Sequence, residues 1–180
     1  MSTVVHGVNA ADPGAEVISC ASCTTNAITP VVEVMGRRVG VRKAIMATVH
    51  AYTSSQAIVD GPAKNMRRGR AGAANLVPTS TGAIATAKAL PQYEGKFDGI
   101  AIRAPIPVGS IADVTCVTER ATRVDEVNTI FREEAQSNRY QGIQGVAEDP
   151  IVSADIVKDP RASVVDLEST QVVGGDLVKF

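Results

Sequence analysis

The chain has 180 residues, 44% hydrophobic and 21% charged, with a net charge of −1 at neutral pH. That is one domain's length, enough to bury roughly 70% of the unfolded surface, with the composition of an ordinary soluble globular protein. A charge this small supplies no long-range field for a polyanion, which argues against a dedicated nucleic-acid binder. No apolar run approaches the roughly 20 residues that a membrane span needs.

Met1-Ser2-Thr3-Val4-Val5-His6 has no basic segment followed by an apolar run, so no signal peptide is expected, and His6 reads as solvated. Three cysteines form no even disulfide framework, which with the missing signal points to the reducing cytosol. Trp is absent and aromatics make up 3%, so the core is expected from Val, Ile, Ala and Leu.

Val17-Ile18 reads as the end of a short strand leading into Ser19-Cys20-Ala21-Ser22-Cys23-Thr24-Thr25-Asn26. Ala27, Ile28, Val31, Val32 and Met35 then recur at helical spacing. Pro30 leaves two readings open: a helix from near Cys23 that bends at the proline, or one that starts near Thr29. Only the first places a helix dipole on Cys23. Val41 to Val49 is a strand candidate ending at His50, and a long segment, 52–75, follows with Gly61, Pro62, Gly69, Gly72 and the bases Lys64, Arg67, Arg68 and Arg70. An irregular segment of that length inside a compact domain is usually functional. Thr79 or Ser80 is expected to cap a helix running through Ala83 to Leu90. Phe97–Arg103 and Ser110–Thr118 read as strands, and Asp125–Gln136 as an amphipathic helix with Val127, Ile130, Phe131 and Ala135 on one face, started by Thr122 or Asp125. Ser163–Asp166 and Gln171–Val173 are short strands, and Gly174-Gly175-Asp176 turns the chain into Leu177-Val178-Lys179 as a hairpin.

Cys23 is the residue with the most chemistry around it. The thiolate is the nucleophilic form of cysteine, and a nearby imidazole or a helix N-terminus favours it. His50 is the base in reach of that reading, against the plain alternative of a buried structural cysteine. Cys20-Ala21-Ser22-Cys23 is also a C-x-x-C, open to a thiol–disulfide pair or half a zinc site, although Cys116, His6 and His50 lack the paired spacing of further zinc ligands. Arg67-Arg68-Gly69-Arg70 and Thr79-Ser80-Thr81-Gly82 have the make-up of oxyanion-binding elements, against a solvated loop and an N-cap. Arg103 ends an apolar strand just before two prolines, so it is expected to be paired or to face a site. No Gly-x-Gly-x-x-Gly follows a strand, so no dinucleotide fold is expected in these residues.

Ala21-Ser22-Cys23-Thr24-Thr25-Asn26, Val49-His50-Ala51-Tyr52-Thr53, Arg67-Arg68-Gly69-Arg70, Val77-Pro78-Thr79-Ser80-Thr81-Gly82-Ala83 and Ile102-Arg103-Ala104-Pro105, in this order, closely resemble the C-terminal catalytic half of glyceraldehyde-3-phosphate dehydrogenase. The resemblance runs nearly end to end. It implies an α+β fold, a mixed and mainly antiparallel sheet with helices on one face, whose other face packs in a homo-oligomer. It implies a single catalytic domain over 1–180, with the basic segment near 52–75 as an S-loop at a subunit interface. By the same resemblance Cys23 attacks the aldehyde of glyceraldehyde 3-phosphate, and His50 stabilises the thiolate and takes the hydroxyl proton. Thr53 and Arg103 bind the substrate phosphate, while Ser22, Thr24, Arg68, Thr81 and Gly82 line the site of the attacking inorganic phosphate. NAD or NADP is the implied hydride acceptor, held mainly by a nucleotide-binding domain not expected in this stretch. Cys20 stands where the family usually has asparagine, and Ala27 where a second cysteine is common. A cytoplasmic location, no nucleic-acid partner and no membrane partner follow. Two alternatives remain: acyl transfer at Cys23 without NAD, and a non-catalytic oligomerisation module.

Overall fold

The computed structural model describes residues 1–80 and 83–180, with side chains for all of these but 83–85. A short parallel pair, β1 (Ser2–Thr3) and β2 (Ile18–Ser19), precedes α1 (Cys23–Arg38) and β3 (Val41–Ala51). The long segment follows, with 3-10 turns at Met66–Gly69 and Gly72–Ala74. Then come β4 (Val77–Ser80), α2 (Ala83–Ala89), β5 (Phe97–Ala104), β6 (Ser110–Thr118) and α3 (Val124–Ala135). β7 (Gln144–Ala147), β8 (Ser163–Asp166), β9 (Gln171–Val173) and β10 (Leu177–Lys179) complete the order. The main sheet runs β4-β5-β3-β6-β10-β9; β3 and β5 are parallel and its other neighbouring pairs antiparallel. This is the expected α+β fold.

Alternation along the strands sets the two faces. Met46, Phe97, Val114, Cys116 and Val178 turn inward and pack with Ile28, Val31, Val32 and Met35 of α1 and Val127, Ile130 and Phe131 of α3. On the opposite face Ile45, Ile100, Ile111, Val173 and Leu177 are exposed. Among the described residues no helix is long and apolar enough to cross a membrane.

α1 resolves the proline question. It begins at Cys23, with Ser22 as N-cap, and continues through Pro30. An interior proline costs about 3 kcal/mol. Against that, Ile28, Val31, Val32, Val34 and Met35 are all buried, each contributing roughly 1.5–3 kcal/mol, so tertiary packing outweighs the local penalty. The tight turn through Gly40, at φ +85, sends β3 back alongside the helix. Sixteen helical residues span about 24 Å and eleven strand residues about 35 Å, so β3 is long enough to come back past the whole helix, and His50 near its end meets Cys23 at the helix start.

Two expectations need correction. Thr79 and Ser80 do not cap a helix: they lie in β4, paired with Ala101 and Ile100 of β5. α3 starts at Val124 with Arg123 in the cap position and no side-chain cap bond; the Thr122 hydroxyl instead donates to Glu126 Oε2 at 2.8 Å. Its inward face includes Glu134, whereas Ala135 is only half-buried.

Candidate active site

The start of α1 is a built N-terminus. Ser22 Oγ accepts the Thr25 N–H at 3.2 Å and lies 2.9 Å from the Thr25 hydroxyl. Asn26 Nδ2 donates to the carbonyls of Cys20 (2.6 Å) and Ser22 (2.9 Å), tying the approach to the helix. Ala21 sits at φ +59, a left-handed conformation that costs a non-glycine residue roughly 1–2 kcal/mol. The first N–H groups of a helix have no intrahelical partner, so those of Cys23 and Thr24 remain as donors at the positive end of the dipole. Cys23 itself is exposed.

His50 reaches this end because β3 and β5 are parallel and in register. His50 and Arg103 are Cα partners one residue before the strands end, on the inward face. His50 Nε2 lies 3.5 Å from Cys23 Sγ. On the ring's other side, Nδ1 is 2.8 Å from the Ala51 carbonyl oxygen and 2.5 Å from Arg103 Nη1, which also donates to that carbonyl at 3.1 Å. Burial draws the Arg103 guanidinium below its ordinary range, the Cys23 sulfur opposes that, and Arg68 adds to it. Sulfur, imidazole and two guanidiniums therefore share one electrostatic site.

Arg68 comes from the 3-10 turn Met66–Gly69 and donates to Thr79 Oγ1 of β4 at 3.4 Å. Arg70 pairs with Asp60 at 2.7 Å, and Arg67 is exposed. Asp60 also accepts the Ala71 N–H at 2.8 Å, which with Arg70 holds its carboxyl below the usual range. Together with Gly61 N–H to Gly69 O (2.8 Å) and Gly72 N–H to Ala57 O (2.9 Å), these bonds give the long segment a defined path. Thr53 lies two residues past the end of β3, half-buried, its hydroxyl 3.0 Å from Ser55 Oγ. Ser22 and Thr24 flank Cys23. Thr81 and Gly82 lie outside the described residues.

The three cysteines differ sharply. Cys20 and Cys23 are exposed, while Cys116 is buried in β6, where burial pushes its thiol up to about 12. Among the described residues no group of three or more His, Cys, Asp or Glu side chains converges as a metal site would. Two participants lie inside the motifs but carry no chemical signal of their own. The Ala51 carbonyl has no sequence signal, and Asn26 had only its position four residues after Ser22.

Residues 22–180 match the family model described as glyceraldehyde 3-phosphate dehydrogenase, C-terminal domain. Glyceraldehyde-3-phosphate dehydrogenase 2 of Streptomyces avermitilis is 47% identical over 182 aligned positions, which cover 99% of this chain and 54% of that protein. The Haloarcula vallismortis enzyme is 47% identical over 174, covering 96% and 52%. That of Mycobacterium leprae is 45% identical over 174, covering 95% and 51%. The chain thus spans about half the length of the curated relatives it matches. With the matching family model over 22–180 and near-complete coverage by these relatives, the chain belongs to the glyceraldehyde-3-phosphate dehydrogenase C-terminal domain family.

Proposed function

We propose that residues 1–180 form the catalytic domain of a phosphorylating glyceraldehyde-3-phosphate dehydrogenase, with Cys23 as nucleophile and His50 as its proton partner. The observation that carries this reading is the 3.5 Å approach of His50 Nε2 to a sulfur at a helix N-terminus. Cys23 Sγ adds to the aldehyde carbon of glyceraldehyde 3-phosphate, giving a thiohemiacetal whose hydroxyl proton His50 accepts. After oxidation the thioester on Cys23 is split by inorganic phosphate: a phosphate oxygen bonds to the acyl carbon, the C–S bond breaks, and the thiolate leaves. The product is 1,3-bisphosphoglycerate. Arg103 and Thr53 hold the substrate phosphate, and Ser22, Thr24, Arg68, Thr81 and Gly82 the attacking one. A guanidinium forks onto an oxyanion in both places, and the open N–H groups of α1 add to the second.

The oxidation itself needs a hydride acceptor, NAD or NADP in this chemistry. Among the described residues no strand, glycine-rich turn and helix stand in series to hold a dinucleotide, so these residues do not fit that group and no hydride step is derived from them. The chemistry they support without a hydride acceptor is acyl transfer at Cys23, which we propose for the chain by itself. Incubation with acetyl phosphate is expected to leave one acetyl group on Cys23, read by mass spectrometry of the intact protein and its peptides. No adduct, or the same adduct on a Cys23→Ser variant, would refute the proposal.

The partners proposed are glyceraldehyde 3-phosphate, inorganic phosphate and further copies of this chain. Ile45 and Ile111 are each 62% exposed on the face of the sheet away from α1 and α3, which Ile100 shares. Covering such a face by self-association buries apolar area that water otherwise wets. The long segment near 52–75 is assigned to the same assembly as an S-loop. Ile45→Lys is expected to lower the mass measured by sedimentation equilibrium, and an unchanged mass would count against the assembly.

A further inference from the structure

Three atoms beside Cys23 lie closer together than one set of hydrogens can satisfy. His50 Nδ1 is 2.8 Å from the Ala51 oxygen, and Arg103 Nη1 is 2.5 Å from that nitrogen and 3.1 Å from that oxygen. A guanidinium only donates and stays protonated in proteins, and a carbonyl only accepts. Nδ1 therefore either accepts from Arg103 or donates to Ala51, and it cannot do both. A hydrogen on Nδ1 would face the Arg103 donor across 2.5 Å. With Arg103 in place Nδ1 is thus the bare nitrogen, and a neutral imidazole carries its hydrogen on Nε2, aimed at Cys23 Sγ. The arrangement leaves two acceptors 2.8 Å apart with one guanidinium shared between them. Removing Arg103 turns that same contact into an ordinary N–H···O=C bond, which places the hydrogen on Nδ1 and bares Nε2.

We infer that Arg103 is a positioning residue that selects the His50 tautomer, and that an oxyanion drawing Arg103 off Nδ1 converts His50 from a donor to the Cys23 sulfur into a base facing it. This rests on the acyl chemistry proposed above, which uses His50 in both forms. The waiting thiolate is stabilised by an Nε2–H donor; its addition to the aldehyde leaves an alkoxide that takes one proton from water at the exposed site, and the hydroxyl so formed gives that proton to a bare Nε2. The exchange is balanced: one proton leaves Nε2 for water at the exposed site and one from water binds Nδ1.

The groups facing this pair explain why an anion wins the competition. Cys23 approaches from α1, Arg103 from β5 and Arg68 from the Met66–Gly69 turn, while Ser110 of β6, the Cα partner of His50, carries no charge. Arg68 and Arg103 repel, and an oxyanion between them relieves that repulsion. A charge-assisted bond from guanidinium to oxyanion is also roughly twice as strong as one to a neutral acceptor. The phosphate of the substrate would in this way arm the base as it docks.

His6 and His50 are the only histidines in the sequence, so histidine-selective 15N labelling gives two rings, and His50→Gln identifies which is which. Long-range 1H–15N correlations, recorded at mildly alkaline pH, report which nitrogen of each ring carries the hydrogen. The parent is expected to hold His50 as Nε2–H. Inorganic phosphate is added until the Arg103 Nε–H resonance stops moving, and the tautomer ratio is expected to reverse, by roughly tenfold or more. Arg103→Ala is expected to show Nδ1–H with or without phosphate. Nδ1–H in the resting parent, Nε2–H in a folded Arg103→Ala, or a ratio or an Arg103 resonance that phosphate leaves unmoved would each overturn the inference. Should the variant lose its amide dispersion, the parent titration decides alone. An acetyl adduct on Cys23 with an unmoved tautomer sinks only this inference; a tautomer that follows phosphate without any adduct sinks only the acyl chemistry.

Discussion

The two ends of α1 are built on opposite principles. At its N-terminus Cys23 is exposed, its approach passes through a left-handed Ala21, and the bonds nearby tie down the backbone while leaving the sulfur open. At its C-terminus the side chains close on one another. Arg37 and Arg38 both donate to Glu134 of α3 at 2.7 Å, Arg37 also holds Glu33, and Arg38 holds Glu133. Glu33 further accepts Arg139 at 2.9 Å and the Tyr140 hydroxyl at 2.6 Å. Burial and Glu33 together raise the Tyr140 hydroxyl above its ordinary range, so it stays a donor. Both ends use the helix dipole, cations at the negative end and a nucleophile at the positive one. One end is closed by side-chain pairs, and the other is left open.

If that division is real, changes at one end should leave the other alone. The largest effect is expected from His50→Asn. Losing the imidazole should slow alkylation of Cys23 by iodoacetamide at neutral pH by about 100-fold, with the urea unfolding midpoint unchanged. A slower rate accompanied by a lower midpoint would mean that the site also carries the fold.

Glu134→Ala is the converse. The carboxylate is 7% exposed and its loss strands two guanidiniums, but these are 39% and 32% exposed and recover water. The expected cost is about 2 kcal/mol, below the 3–5 kcal/mol of a fully buried pair, read as a lower urea midpoint at constant slope with Cys23 alkylation unaffected. The pH dependence has a definite sign. Hydrogen bonds from Arg37 and then Arg38 hold the Glu134 carboxyl below its usual range against its burial. A carboxyl lowered on folding adds stability above its unfolded value, about 4.3, and that stability is lost as pH falls through the lower folded value. The gap between parent and Glu134→Gln should therefore be full at pH 7 and shrink below about pH 4.3. A gap that widens in acid would reverse the assignment.

How legible each end was in the sequence follows the same contrast. The chemistry-bearing end announced itself through local motifs: Cys23 with its flanking hydroxyls, and Arg103 as a charge closing an apolar strand. β6, β8, β9 and β10 were readable because period-2 patterns and Gly174-Gly175 are local signals. The closed end was not, because Glu134 meets Arg37 and Arg38 from 97 and 96 residues away, and a glutamate on a helix reads as solvated. β4 was hidden by Pro78. Proline is tolerated there because β4 is the sheet edge, where a missing N–H costs no ladder bond. β7 was hidden by a buried Gln144 next to a glycine. The parallel register that sets His50 against Arg103 depends on a crossover of more than forty residues, which no local pattern encodes.

The smallest effect tests whether the open end stores strain. At φ +59 Ala21 is strained by roughly 1–2 kcal/mol, which glycine would relieve. Glycine also gains freedom in the unfolded chain, which offsets about 0.4–1 kcal/mol of that. Ala21→Gly should therefore stabilise by only about 0.5 kcal/mol, resolvable as a small rise in urea midpoint. Its effect on Cys23 is the sharper reading. Asn26 clamps the carbonyls of Cys20 and Ser22 on either side of Ala21, so the backbone stays in place while its strain falls. The alkylation rate is then expected to hold. If it drops along with the gain in stability, Ala21 aims the sulfur at His50, and the strain is part of how the open end works rather than a by-product of where the helix starts.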